Sequence, residues 1–146
     1  MGGSSMKPEA GAEGVRWLRQ AEHDLDDAEY NLAGDRHSLV CFLCQQAAEK
    51  ALKAVLYAQG AEQVLGHSVA ELAGACAEVD RAFEPLARKA APLDQYYVPT
   101  RYPNSLPGGI PAEAFDASDA ERALALCREV LKTARARIGE ASGRDR

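Results

Sequence analysis

The chain has 146 residues, enough for one hydrophobic core and short for two domains. Apolar residues make up 47% of it but aromatics only 6%, so alanine supplies much of the apolar share; that favours closely packed helices over a sheet. A formal charge of −5 argues against tight, sequence-independent binding to extended DNA, while a local basic patch for a small nucleotide or short RNA is compatible with it.

Residues 1–13 read as a flexible leader that begins Met1-Gly-Gly-Ser-Ser-Met6. A first helix is expected from Gly14 to Asn31, with a seam of Leu18, Ala21, Leu25, Ala28 and Leu32 at gaps of three and four; Trp17 extends or covers this seam. Gly34-Asp35 breaks the pattern. The second helix should span Ser38 to Gln59, with Leu39, Leu43, Ala47, Ala51, Val55 and Ala58 as a narrow packing side and Gly60 as its stop. The short connection makes these two helices antiparallel neighbours. Along another side of the second helix, Gln46, Lys50, Lys53 and Tyr57 follow one another at gaps of four, three and four, which places them in one stripe.

Ser68-Val-Ala-Glu71 matches a capping box and opens a third helix to about Asp80, with Pro85 suited to the first turn of a new segment. A second capping box, Ser118-Asp-Ala-Glu121, announces the last helix, whose seam is Leu124, Cys127, Leu131, Ala134 and Ile138. The tail, 139–146, is expected to fray. The early acidic run (Glu22, Asp24, Asp26, Asp27, Glu29) and the late basic one (Arg122, Arg128, Lys132, Arg135, Arg137) suit the pairing of two helices or two chains. The fold class that follows is all-α, an antiparallel four- to five-helix bundle over residues 14–138.

Asp94 to Asn104 is the least regular stretch; Pro99, Pro103, Pro107 and Pro111 exclude a continuous helix there, and Tyr96, Tyr97 and Tyr102 supply rings and hydroxyls. Cys41 and Cys44 have CxxC spacing inside a helical run with no second ligand pair, and His23, His37 and His67 form no coordinating motif. With Cys76 and Cys127 they read as packing cysteines, and no metal site is expected. The sequence holds no secretory leader, membrane-length apolar run or lipidation motif, so a cytoplasmic setting without membrane contact is the expectation.

Lys50 and Lys53 can hold a phosphate, an acidic partner or their own glutamates. Arg101, set between tyrosines and before Pro103, can grip a phosphate or carboxylate bidentately while Tyr97 or Tyr102 stacks on a base; alternatively it ties the loop to an acidic side chain. His67, just before the Ser68 cap, can orient a nucleotide toward helix-end N–H groups or fill the helix junction.

Trp17-Leu-Arg-Gln-Ala-Glu22, Gln45-Gln-Ala-Ala-Glu-Lys-Ala-Leu-Lys53, Gly66-His-Ser68 and Arg101-Tyr-Pro103, in that order, resemble the HEPN-domain family (higher eukaryotes and prokaryotes nucleotide-binding). Arg101-Tyr-Pro-Asn-Ser-Leu-Pro107 followed by Ile110-Pro111 is similar to the C-terminal HEPN domain of sacsin. The resemblance implies a helical bundle that pairs into a homodimer, with three functional readings. The first is a nucleotide-binding or nucleotide-dependent protein-interaction module, with ATP or GTP as ligand, Lys50, Lys53 and Arg101 on phosphates, Tyr97 and Tyr102 on the base, and His67 orienting. The second is a dimeric partner of a nucleotidyltransferase without its own ligand. The third is a toxin-like enzyme that cleaves RNA, using His67 with Arg101 if folding brings them together. Active ribonuclease branches carry Arg-x(4–6)-His, which this sequence lacks, so an enzyme is the least favoured reading and no catalytic residue is assigned.

Overall fold

The computed structural model describes residues 9–142, with side chains as far as Gly139; most of the expected leader and residues 143–146 lie outside the described residues. Six α-helices follow in order: α1 (Ala10–Leu32), α2 (His37–Ala58), α3 (Val69–Ala77), α4 (Glu84–Lys89), α5 (Pro111–Ala114) and α6 (Ala117–Ser142). Short 3-10 turns lie at Arg81–Phe83, Ala91–Tyr96 and Pro103–Ser105, and every regular element among the described residues is helical.

Helix α2 is the axis of the bundle, packed by α1, α3 and α6. The expected narrow packing side proves far too small. Val40, Cys41, Cys44, Ala47, Ala48, Ala51, Leu52, Ala54 and Val55 are all buried, so the helix is covered nearly all round, while Leu39 stands 41% exposed. Small side chains let the neighbours come close. At Gly14, an added Cβ would lie 2.6 Å from Ala58 Cβ and 2.9 Å from Ala54 O, so α1 can rest on α2 only through a glycine.

Ion pairs fix the direction of the helices. Arg135 meets Glu22, and Arg128 meets Glu29 at 2.9 Å, so α6 runs antiparallel to α1. Gly14 against Ala58 and Asp24 against Lys50 make α1 antiparallel to α2 as well. Helices α2 and α6 are therefore parallel, and the stretch between them must carry the chain back across the bundle. Its prolines make short pieces of that return. Pro85 sits in the first turn of α4 and Pro111 in the first turn of α5.

Helix ends follow the expected chemistry with three shifts. Gly60, at φ +107°, ends α2 as expected, and Ser68 accepts the Glu71 N–H at 3.1 Å. The last helix opens two residues before the expected box: Asp116 accepts from Asp119 N at 3.0 Å while Asp119 accepts from Asp116 N at 2.9 Å. An aspartate pair makes the same reciprocal cap as a serine–glutamate pair, and the earlier one wins. Helix α1 starts at Ala10 rather than Gly14, and α6 runs through Gly139 to Ser142. The expected α6 seam is buried at every position, from Leu124 to Ile138.

All four cysteines are buried and free. Burial pushes the Cys41 and Cys76 thiols up to about 12, and the Cys127 contact with burial pushes Cys44 higher still. All four pack as small apolar groups.

Candidate functional site

One strip of α2 stays open, carrying Phe42, Gln46, Lys50 and Tyr57 as half-exposed side chains. At its C-terminal end Trp17 of α1 stacks on Tyr57 with ring centres 5.0 Å apart, and the Tyr57 hydroxyl accepts from Val64 N at 3.1 Å. Lys50 donates to Asp24 at 2.6 Å, and Gln20 donates to the other oxygen of that carboxylate at 2.9 Å. An open groove of about 660 Å³ lies here, lined by Arg16, Trp17, Arg19, Gln20, His23 and Lys50 among others.

Lys53 turns inward and donates to Glu49 at 3.0 Å, with both side chains under a tenth exposed. An ammonium at that depth requires a carboxylate beside it, because burying an unpaired charge is strongly unfavourable. Of the roles open to the two lysines, the fold uses ion pairing with carboxylates of the bundle. Lys53 also lies 6.0 Å from the Trp17 ring centre.

Glu49 is the residue that sequence reading undervalued. Besides Lys53 it receives Gln45 Nε2 at 3.1 Å, and His67 Nδ1 lies 3.1 and 3.2 Å from its two oxygens. Gln45 donates as well to the His67 carbonyl at 3.0 Å, and Gln46 donates to Gln45 Oε1 at 2.8 Å. The signal was present: Glu49 is four residues from both Gln45 and Lys53, on the same helix.

His67 stands half out of the surface, held by Gly66 at φ +97° and by the cap of α3 that follows it. Asp94 binds that cap from across the molecule, accepting Ser68 Oγ at 2.8 Å and the N–H groups of Val69 and Ala70. A carboxylate at a helix N-terminus is favoured by the macrodipole, and this one fastens the irregular stretch to α3. Next to it Tyr96 is buried edge-on to Phe115, and Thr100 donates to Tyr96 O at 2.6 Å. The following turn is thereby fixed, and it brings Tyr97 over His67. Their rings stack with centres 4.3 Å apart, and the Tyr97 hydroxyl lies 3.0 Å from His67 Nε2.

Arg101 closes the assembly. Its Nε donates to Tyr97 O at 2.8 Å, and its guanidinium carbon lies 4.5, 4.7 and 5.2 Å from the ring centres of Phe42, Tyr97 and Tyr102. No carboxylate among the described residues pairs with it, and the residue is exposed. Phe42 was missed by sequence reading, which treated its helix by packing and charge alone.

The structure thus gathers His67, Tyr97, Arg101 and Tyr102 at one end of the strip. Lys53 joins them only through Glu49, and Lys50 belongs to the other end. His67 and Arg101, 34 positions apart in the sequence, flank the same tyrosine. Among the described residues no cluster of His, Cys, Asp and Glu is arranged to hold a metal. No described helix is long and apolar enough to cross a membrane.

A family model, described as the HEPN domain, matches residues 15–137. No curated protein matches the chain significantly. Among solved structures, TT1696 from Thermus thermophilus superposes with a TM-score of 0.80 at 37% identity, covering 86% of this chain and 98% of that one. ST0689, described as an archaeal HEPN homologue, gives 0.71 at 33% identity, again over 86% of this chain and 98% of its own.

Proposed function

Because this chain belongs to the HEPN domain family, we propose that it is a binding module that takes a nucleotide, alone or within a nucleotide-dependent protein complex, at the Arg101 end of the α2 strip. One observation carries the reading: a guanidinium held among three rings with no carboxylate to neutralise it. Stacking fixes the plane of Arg101 and leaves its outer N–H groups for a phosphate, and Tyr102, 52% exposed, offers a face to a base. His67 orients Tyr97, and Lys53 acts behind them by balancing Glu49. Lys50 borders the strip as a second, weaker phosphate contact, because Asp24 already holds its charge. The similarity of Arg101-Tyr102-Pro103 to the sacsin-type HEPN domain supports choosing this end.

Isothermal calorimetry of the full chain with ATP and with GTP tests it. Saturable binding is expected, weakened about tenfold by Arg101→Ala, the usual scale for a charged hydrogen bond. Absence of saturable binding by either nucleotide, or binding indifferent to Arg101→Ala, overturns the reading.

Self-association is part of the same proposal. Leu39 lies one turn from Phe42, whose ring Arg101 covers, and Leu39 and Tyr102 both expose apolar surface, which suits a second copy or a nucleotidyltransferase partner. Sedimentation without ligand should give a dimer. A monomer at every concentration removes this part and leaves nucleotide binding standing.

A further inference from the structure

We propose that Glu49, from inside the bundle, sets the hydrogen-bonding polarity of the ligand face so that it presents acceptors beside Arg101, and that the face therefore selects guanine over bases with fewer N–H donors. The inference rests on the nucleotide reading above and names the base.

An ionised carboxylate only accepts. His67 Nδ1, 3.1 and 3.2 Å from the Glu49 oxygens, must therefore carry a hydrogen. Glu49 also pairs with Lys53, and the proposed state of His67 is the neutral imidazole. A neutral imidazole has one N–H, which leaves Nε2 as an acceptor. The Tyr97 hydroxyl, 3.0 Å away, gives its single hydrogen to that nitrogen. Its oxygen keeps lone pairs and no hydrogen for a ligand.

The second arm reaches the same result. Gln45 sits between Glu49 Oε1 at 3.1 Å and the His67 carbonyl at 3.0 Å, and both of those accept only. Its amide nitrogen must face them, so its oxygen turns to Gln46 and accepts from Nε2 at 2.8 Å. The other hydrogen of Gln46 Nε2 leans toward Glu49 at 3.5 Å. Gln46 Oε1 meets no donor among the described residues and is half-exposed on the open strip. Both arms begin at one buried carboxylate, and both end in an acceptor on a half-exposed side chain. Guanine offers N1–H and the 2-amino group to two such acceptors. Hypoxanthine lacks the 2-amino group and tests that donor alone.

The test has two arms. In calorimetry with GTP and ITP, the full chain should bind GTP about 5- to 10-fold more tightly, the scale of one unsatisfied polar group near the surface. Tyr97→Phe and Gln46→Leu, both at half-exposed positions, should differ: the one that removes the acceptor of the 2-amino group should bring the two affinities together, and the other should weaken both alike. Nitrogen-15 NMR of the imidazole near neutral pH should show Nδ1 protonated and Nε2 bare. Equal affinity for GTP and ITP, with binding still dependent on Arg101, overturns the base preference and leaves nucleotide binding intact. A proton on His67 Nε2 overturns the polarity whatever binds. No binding of either nucleotide removes the binding reading and this preference with it.

Discussion

The two ends of the α2 strip carry the same kind of charge and use it in opposite ways. At the C-terminal end Lys50 and Lys53 each have a carboxylate within hydrogen-bond distance, Asp24 and Glu49. At the other end Arg101 has three rings and a backbone carbonyl but no counter-charge among the described residues. Cations matched inside the fold serve stability. A cation held by rings and a carbonyl, with no carboxylate beside it, is available to something outside. Net charge and helical spacing do not separate these two cases; the partner of each charge does.

The sharpest way to break that contrast is at the matched end. Lys53→Met removes the ammonium and leaves Glu49 buried without its lysine partner, so urea unfolding should show a loss of about 3–5 kcal/mol. If the loss is below about 1 kcal/mol, Glu49 is not sustained by Lys53 and the matched end does not serve stability. Next comes Gly14→Val, where a Cβ 2.6 Å from Ala58 forces α1 off α2. Overpacking of that kind costs about 1–3 kcal/mol, read as a lower urea midpoint. An unchanged midpoint would show that α1 does not press on α2 there.

Alkali gives a smaller, graded effect. Cys41 and Cys76 have folded thiols near 12 against an ordinary value of 9.0. The folded chain holds these protons more tightly than the unfolded one, so their contribution is complete below pH 9.0 and is lost as pH rises toward 12. Replacing both by alanine should flatten that part of the stability–pH curve, whereas an unaltered slope assigns the alkaline loss to other groups. The smallest effect is at the surface: a double-mutant cycle on Glu29 and Arg128 should give only about 0.2–1 kcal/mol, since both side chains are well exposed. A coupling above about 2 kcal/mol would mean that this pair behaves as a buried one.

Much of the bundle was legible in the sequence because helical periodicity is local. The α6 seam, the Gly60 stop and the Ser68 cap depend on neighbours within a turn or two, and each stands where its spacing put it. The all-round burial of α2 was not legible. A helix rich in alanine looks narrow-sided until three other helices are known to cover it, and Gln45, Glu49 and Lys53 then become interior groups. The same limit hid the site. His67, Tyr97 and Arg101 were singled out one by one, by residue type and by the proline-rich surroundings. Their assembly depends on Asp94 binding the α3 cap 25 positions away, a contact that no local pattern encodes. Glu49 was passed over because beside Lys50 in sequence it resembles an exposed charge, whereas in space it turns toward His67.

The most direct measurement compares the two ends in one assay, titrating nucleotide into Lys50→Gln and Arg101→Gln chains of equal thermal stability. Arg101→Gln should bind about tenfold more weakly than the unaltered chain, with Lys50→Gln within about twofold of it. The reverse order, a large loss at Lys50 and none at Arg101, would place the ligand in the α1 groove and contradict the account.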